Sequence, residues 1–167
     1  MVLDCITMTA SLPIYDLKTR TGENGPEVWD PIRKQWMFMT PEEQVRQCLV
    51  LFLTEVCGVP KGLLSLERGL NYDRRKKRYD LLVYSRKGKP MILCECKEPR
   101  VPIDEAVLQQ AAVYNYKIKA GMLLLTNGPM LLAFGKEKDG GWKGVELPNP
   151  DLPGGEGWFT QAEELFS

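Results

Sequence analysis

Arg78-Tyr79-Asp80-Leu81-Leu82-Val83-Tyr84-Ser85-Arg86-Lys87-Gly88-Lys89-Pro90-Met91-Ile92-Leu93-Cys94-Glu95-Cys96-Lys97 is the stretch that decides the fold. Two apolar segments, 78–84 and 90–97, flank a polar turn whose Gly88 is free to take a positive φ, and the pattern predicts a β-hairpin. The second arm is apolar at consecutive positions, as in a central strand buried on both faces. Charge enters only at its end, at Glu95 and Lys97. Strand side chains alternate, so these two share one face while Cys94 and Cys96 share the other.

With the turn centred between Lys87 and Gly88, Asp80 falls opposite Glu95. Cross-strand neighbours have Cβ atoms ~5 Å apart. Two carboxylates so close repel unless a cation lies between them. Lys97 relieves part of this, and a hard divalent ion held by oxygen ligands relieves more. Such a set suits phosphodiester hydrolysis. A carboxylate-held Mg²⁺ polarises the phosphate and acidifies water, and an adjacent lysine steadies developing negative charge. Read alone, Glu95 and Lys97 fit an ordinary strand-end salt bridge as well.

Before the hairpin, Arg74, Arg75, Lys76, Lys77 and Arg78 form a run of five cations, readable as a phosphate-holding patch or as a solvated turn. Upstream, Thr40-Pro41-Glu42-Glu43 opens a helix. Thr40 serves as N-cap, Pro41 fits the first turn, and Glu43 closes a capping box. Val45, Cys48, Leu49, Phe52, Leu53 and Val56 follow at helical spacing until Gly58 and Pro60 end the run. Residues 63–70 predict a further strand. Short strands are expected over 14–17 and 36–39, around a turn-rich stretch at 21–26.

Downstream, 104–119 predicts a second helix with a core stripe of Val107, Ala111, Tyr114 and Ile118. Strands follow over 122–126 and 130–134, joined by the turn Asn127-Gly128-Pro129, and a short helix closes the chain at 160–166. Helix, three strands, helix and strand (αβββαβ) predict an α/β fold, a mixed central sheet flanked by helices. The 167 residues suit one domain, with a core over 28–135 and an acidic, Gly/Pro-rich extension over 136–167.

Composition narrows the chemistry. Histidine is absent, which excludes His-based triads, His-ligated zinc and His general bases. Five cysteines (Cys5, Cys48, Cys57, Cys94 and Cys96) show no zinc-ligand spacing and read as reduced, buried thiols. Formal net charge is zero, yet the segment after Lys136 carries seven acids against two lysines. No apolar run is long enough to cross a bilayer, and the amino terminus has no basic n-region, so a cytoplasmic protein is expected.

The hairpin stretch, together with Gln110-Ala111-Ala112-Val113-Tyr114-Asn115 and Leu124-Leu125-Thr126-Asn127-Gly128, closely resembles the amino-terminal nuclease domain of type I restriction enzyme R subunits. Asp30-Pro31-Ile32-Arg33 and Thr40 through Gln47 carry the resemblance upstream. That domain belongs to the PD-(D/E)XK nuclease superfamily, so the resemblance implies a restriction-endonuclease-like core and Mg²⁺-dependent (or Mn²⁺-dependent) endonuclease activity, with DNA the expected substrate. It implies that Asp80 and Glu95 hold the metal, and that Lys97 assists the attacking water. It also implies an acidic residue of the first helix near the metal. Glu42, read as nearer the apolar face than Glu43, is the choice, although both acids also suit a helix N-terminus. Gln110 and Tyr114, four apart on one helix face, match a QxxxY element that lies beside the active site in related nucleases. Tyr114 fits a plain core position equally well.

Val113 departs from the pattern, standing where a more polar residue is expected. No GxxxxGK[ST] phosphate loop is present, so translocation along DNA would fall to a separate motor or specificity subunit. A homodimer is a further expectation, since many restriction-type nucleases cut two strands as pairs. The competing expectation is a nuclease-fold binding or regulatory module with little or no cleavage.

Overall fold

The computed structural model describes residues 10–66 and 79–167. Its centre is a six-stranded mixed sheet in the order β4-β5-β6-β7-β8-β9. The strands are β4 (Leu64–Leu66), β5 (Leu81–Tyr84), β6 (Pro90–Cys96), β7 (Met122–Thr126), β8 (Leu131–Lys136) and β9 (Trp142–Gly144). The β6–β7 pair alone is parallel, and helix α2 (Glu105–Ile118) makes the crossover between them. The other neighbours run antiparallel. A separate three-stranded meander, β1 (Thr19–Gly22), β2 (Gly25–Asp30) and β3 (Gln35–Phe38), precedes helix α1 (Pro41–Leu51). Helix α3 (Trp158–Phe166) closes the chain. No helix among the described residues is long and apolar enough to cross a membrane.

Alternation along the central strands makes two cores. Leu81, Val83, Ile92, Cys94, Met122 and Leu124 face a core completed by Leu49, Phe52 and Leu53 of the α1 segment and by Phe159 of α3. Leu82, Leu93, Leu123, Leu125 and Phe134 face the other, completed by Val107, Leu108 and Ala111 of α2. Strands β6 and β7 are apolar on both faces because helices cover both. The α/β architecture with a mixed sheet, expected from the element order, is therefore present.

Thr40 caps α1 as expected, its Oγ1 accepting the Glu43 amide at 3.0 Å. The helix then widens. Cys57 N donates to Phe52 O, five residues back, closing a π-helical turn over Phe52–Val56. Gly58 follows with φ +74°, and a Cβ there would lie 2.2 Å from the Glu156 carbonyl oxygen. It ends the helix and also admits the backbone leading into α3. At the β5–β6 turn Gly88 takes φ +77°, the conformation anticipated for it.

Several expectations need correction. Residues 14–17 form no strand, and Ile14 is almost wholly exposed. The turn-rich stretch at 21–26 does contain a turn, at the tip of the β1–β2 hairpin where Gly22 pairs with Gly25. Strand β9 was not anticipated, and α3 begins two residues earlier than expected. The strand expected over 63–70 appears as Leu64–Leu66, with 67–70 outside the described residues.

Asn115 closes the end of α2. Its Nδ2 donates to Ala120 O and its Oδ1 accepts from Ala120 N, both at 2.8 Å, around Lys119 at φ 63°. The site is buried, so Asn115→Ala is expected to cost about 1–3 kcal/mol by stranding two backbone groups. Urea denaturation midpoints at constant m would show it.

Candidate active site

The hairpin register is the one read from the sequence. Leu81 pairs with Cys94, Leu82 with Leu93 and Val83 with Ile92, and the ladder shifts only beyond, between Val83 and Tyr84. Asp80, one residue before β5, thus comes to the end of β6 where Glu95 lies. Its Oδ2 accepts the Cys96 backbone N–H at 2.7 Å. Its Oδ1 accepts from Arg46 Nη2 at 2.9 Å. Lys97 Nζ donates to Glu95 Oε1 at 2.8 Å. All three side chains are mostly buried, with Asp80 16%, Glu95 20% and Lys97 23% exposed.

Electrostatics mark the site as strained. Burial and then the charge of Asp80 push the Glu95 carboxyl above its usual value, and Lys97 only partly offsets them. Burial pulls Lys97 down, but its hydrogen bond to Glu95 and the charges of Glu95, Asp80 and Glu42 outweigh this and leave the ammonium above its usual value. Glu42 therefore belongs electrostatically to the same cluster.

The raised Glu95 carboxyl has a consequence for stability. Its contribution is full below the unfolded-state value of ~4.3 and is lost as pH rises through the higher folded-state value. This balance already includes the help of Lys97. In EDTA at pH 7, Glu95→Gln is thus expected to stabilise the fold by about 0.5–2 kcal/mol, as removing active-site strain commonly does. The gain should shrink at pH 4.5. A melting-temperature series across that range checks it, and destabilisation at pH 7 would refute it.

The first-helix acids differ from the reading of the sequence. Glu43, not Glu42, lies on the buried side of α1, and the Glu42 side chain is 43% exposed. Cations draw Glu43 inward. Its carboxylate meets Arg46 Nη1, accepts from Gln47 Nε2 at 2.8 Å and lies 3.6 Å from Arg33 Nη2. The capping box is consequently half made, because the Thr40 amide donates to Phe38 O instead. Arg33 Nε is in turn 2.9 Å from Asp30 Oδ2, and Asp30 Oδ1 accepts the Ile32 and Arg33 amides. A chain of alternating charge thus runs from the β2–β3 turn through Glu43 and Arg46 to Asp80.

Arg46 was missed in the sequence reading. Its spacing of three and four residues from Glu43 and Glu42 was the available signal. Gln110 is exposed on α2, Tyr114 is half-buried against the second core, and Val113 is exposed. The cationic run Arg74, Arg75, Lys76, Lys77 and Arg78 lies outside the described residues. Cys48, Cys57, Cys94 and Cys96 are free and buried, and burial raises each thiol above its usual value, so none is a ready nucleophile.

Residues 41–153 match the family described as type I restriction enzyme R protein N terminus. The chain belongs to that family. No curated protein matches it. The matched span holds Glu42, Arg46, Asp80, Glu95, Lys97, Gln110 and Tyr114, and leaves the meander with Asp30 and Arg33 and helix α3 outside. Membership ties the chain to restriction-type, nuclease-related work.

Among the described residues no group of three or more acids or thiols is spaced to hold an ion directly. Mg²⁺ does not require one, since it commonly takes one or two carboxylates and fills its remaining positions with water and phosphate oxygens. Asp80 and Glu95 supply oxygen ligands of that kind, and burial and then the charge of Asp80 hold the Glu95 carboxyl above its usual value, a penalty that a divalent ion would relieve. The residues fit the group.

Proposed function

We propose that this family member is a Mg²⁺-dependent endonuclease domain that hydrolyses phosphodiester bonds in DNA. The observation that carries the reading is the placement of Asp80, one residue before β5, at the end of β6 where Glu95 lies, with Lys97 hydrogen-bonded to Glu95. Asp80, Glu95 and Glu42 would hold the metal. Mn²⁺ would serve in the same oxygen-ligand site. The ion would supply Lewis-acid polarisation of the phosphate and a more acidic water.

The chain's own groups do the remaining work. The Cys96 amide fixes Asp80, so one carboxylate needs no reorganisation. Lys97 Nζ, donating to Glu95, stands where it can orient a water and stabilise negative charge on the phosphoryl oxygens. Gln110 and Tyr114 are assigned to the α2 side of the site, and Arg74, Arg75, Lys76, Lys77 and Arg78 to phosphate contacts outside it. In this reading the domain works together with a motor or specificity subunit, and double-strand cutting calls for a second copy of the chain.

Labelled linear, circular and single-stranded DNA, each with Mg²⁺ or Mn²⁺ and with EDTA, tests the proposal. Metal-dependent cleavage that EDTA abolishes is the expected result. Mn²⁺ at 100 times its Kd should also stabilise the wild type by about 2.7 kcal/mol in thermal melts and leave Glu95→Gln unmoved. A second reading, nucleic-acid binding without cleavage, is favoured by the engagement of both Asp80 oxygens in the metal-free protein. Salt-dependent DNA binding with no cleavage under any metal would select it.

A further inference from the structure

The Arg46 guanidinium touches three carboxylates, and two of them are assigned above to the metal. Nη2 lies 2.9 Å from Asp80 Oδ1 and 3.0 Å from Glu42 Oε1. Nη1 meets Glu43 Oε2 on the inner side. Only 12% of the Arg46 side chain is exposed, so water screens these contacts weakly. We propose that Arg46 is a built-in counter-ion: in the metal-free protein its Nη2 occupies the cation position between Asp80 and Glu42, and a divalent ion binds by displacing it from Asp80. This rests on the metal reading of the site.

The geometry separates an anchor from a moving end. Glu43, the anchor, is 7% exposed and is itself held by Gln47 and Arg33. Asp80 and Glu42 are more open. A guanidinium binds carboxylates at hydrogen-bond distance, whereas Mg²⁺ needs oxygens at ~2.1 Å. Both cannot hold Asp80 Oδ1 together, and their like charges repel. Asp80 retains the Cys96 amide on its other oxygen, so it keeps its place when Nη2 leaves. Swinging out on its Glu43 anchor, Nη2 would stay beside the site, where it could meet a phosphate oxygen. Arg46 is thus a positioning residue that lowers metal affinity while keeping the carboxylates ordered.

Calorimetric titration of the full chain with Mn²⁺ distinguishes this from a scaffold role. Arg46→Met keeps an apolar stem and removes the charge. It is expected to bind Mn²⁺ about fivefold or more tightly than the wild type, the range of an ordinary coupling between competing ligands. Arg46→Lys, whose single ammonium cannot reach Glu43 and Asp80 together, covers the case in which Arg46→Met does not fold. It is expected to tighten binding at least ~2-fold. Unchanged or weaker Mn²⁺ binding in the folded variant overturns the counter-ion role. If wild-type binding is then lost in Glu95→Gln, the metal site itself stands. Absence of Mn²⁺ binding in wild type and variant alike overturns both the inference and the metal reading beneath it.

Discussion

Lys97→Ala is expected to lower the single-turnover cleavage rate by about 10²–10³, the usual cost of losing one preorganised donor to a developing anion. The effect has two sources that can be separated. In the proposed reaction Lys97 would supply positive charge next to the phosphate. It also holds down the Glu95 carboxyl, which burial and Asp80 already push up. Without the lysine Glu95 would take its proton at higher pH, and the proposed metal binding would weaken on the acid side. Lys97→Ala should therefore show weaker Mn²⁺ binding at pH 6 that recovers at pH 8.5, with cleavage still low at saturating metal. Lys97→Arg restores the charge at altered geometry and should recover Mn²⁺ binding more fully than rate. A Lys97→Ala rate within threefold of wild type at pH 8.5 would remove Lys97 from the chemistry and leave it a salt-bridge partner only.

Glu43→Ala has the largest expected effect on stability, about 3 kcal/mol of unfolding free energy, because it breaks a buried charge network from its middle. Three groups lose their partner together. Arg46 Nη1 loses its anchor, Gln47 Nε2 its acceptor, and Arg33 its second carboxylate. Arg33 and Gln47 are buried, so neither regains a full water shell. Glu42→Ala, on the same helical turn but with its side chain 43% exposed, should change stability by less than about 1 kcal/mol. Guanidinium chloride denaturation of both variants gives the comparison. Equal midpoints would mean that the network contributes no more than surface pairs.

The contrast between these glutamates shows what was legible in the sequence. The hairpin register could be read because period-2 alternation and a turn glycine act locally, and that register brings Asp80 to Glu95. The start of α1 was legible for the same reason, through Thr40 and Pro41. The inward turn of Glu43 was not, because the cause is Arg33, held by Asp30 at the end of β2. Arg46 was equally hidden, since Asp80 lies 34 residues away. The meander escaped because β1 is Thr-Arg-Thr-Gly, a largely exposed strand with no apolar alternation, whereas the apolar-looking 14–17 finds no partner strand. The buried role of Asn115 was likewise unreadable. An asparagine closing its own helix looks no different in sequence from one facing solvent.

Helix α3 bears on the order in which the chain assembles. Phe159 is fully buried in the first core, and Arg86 in the β5–β6 turn is clamped by Glu163 through its amide at 2.6 Å and its guanidinium. A ribosome releases β5, β6 and the carboxylate pair long before residues 158–166. Synthesis at roughly 5–20 residues per second leaves an interval of several seconds in which the α1 side of the sheet lacks its last covering piece. During that interval the site can be assembled in outline but not locked. The proposed activity would then reach full strength only after α3 has been made and packed against the sheet.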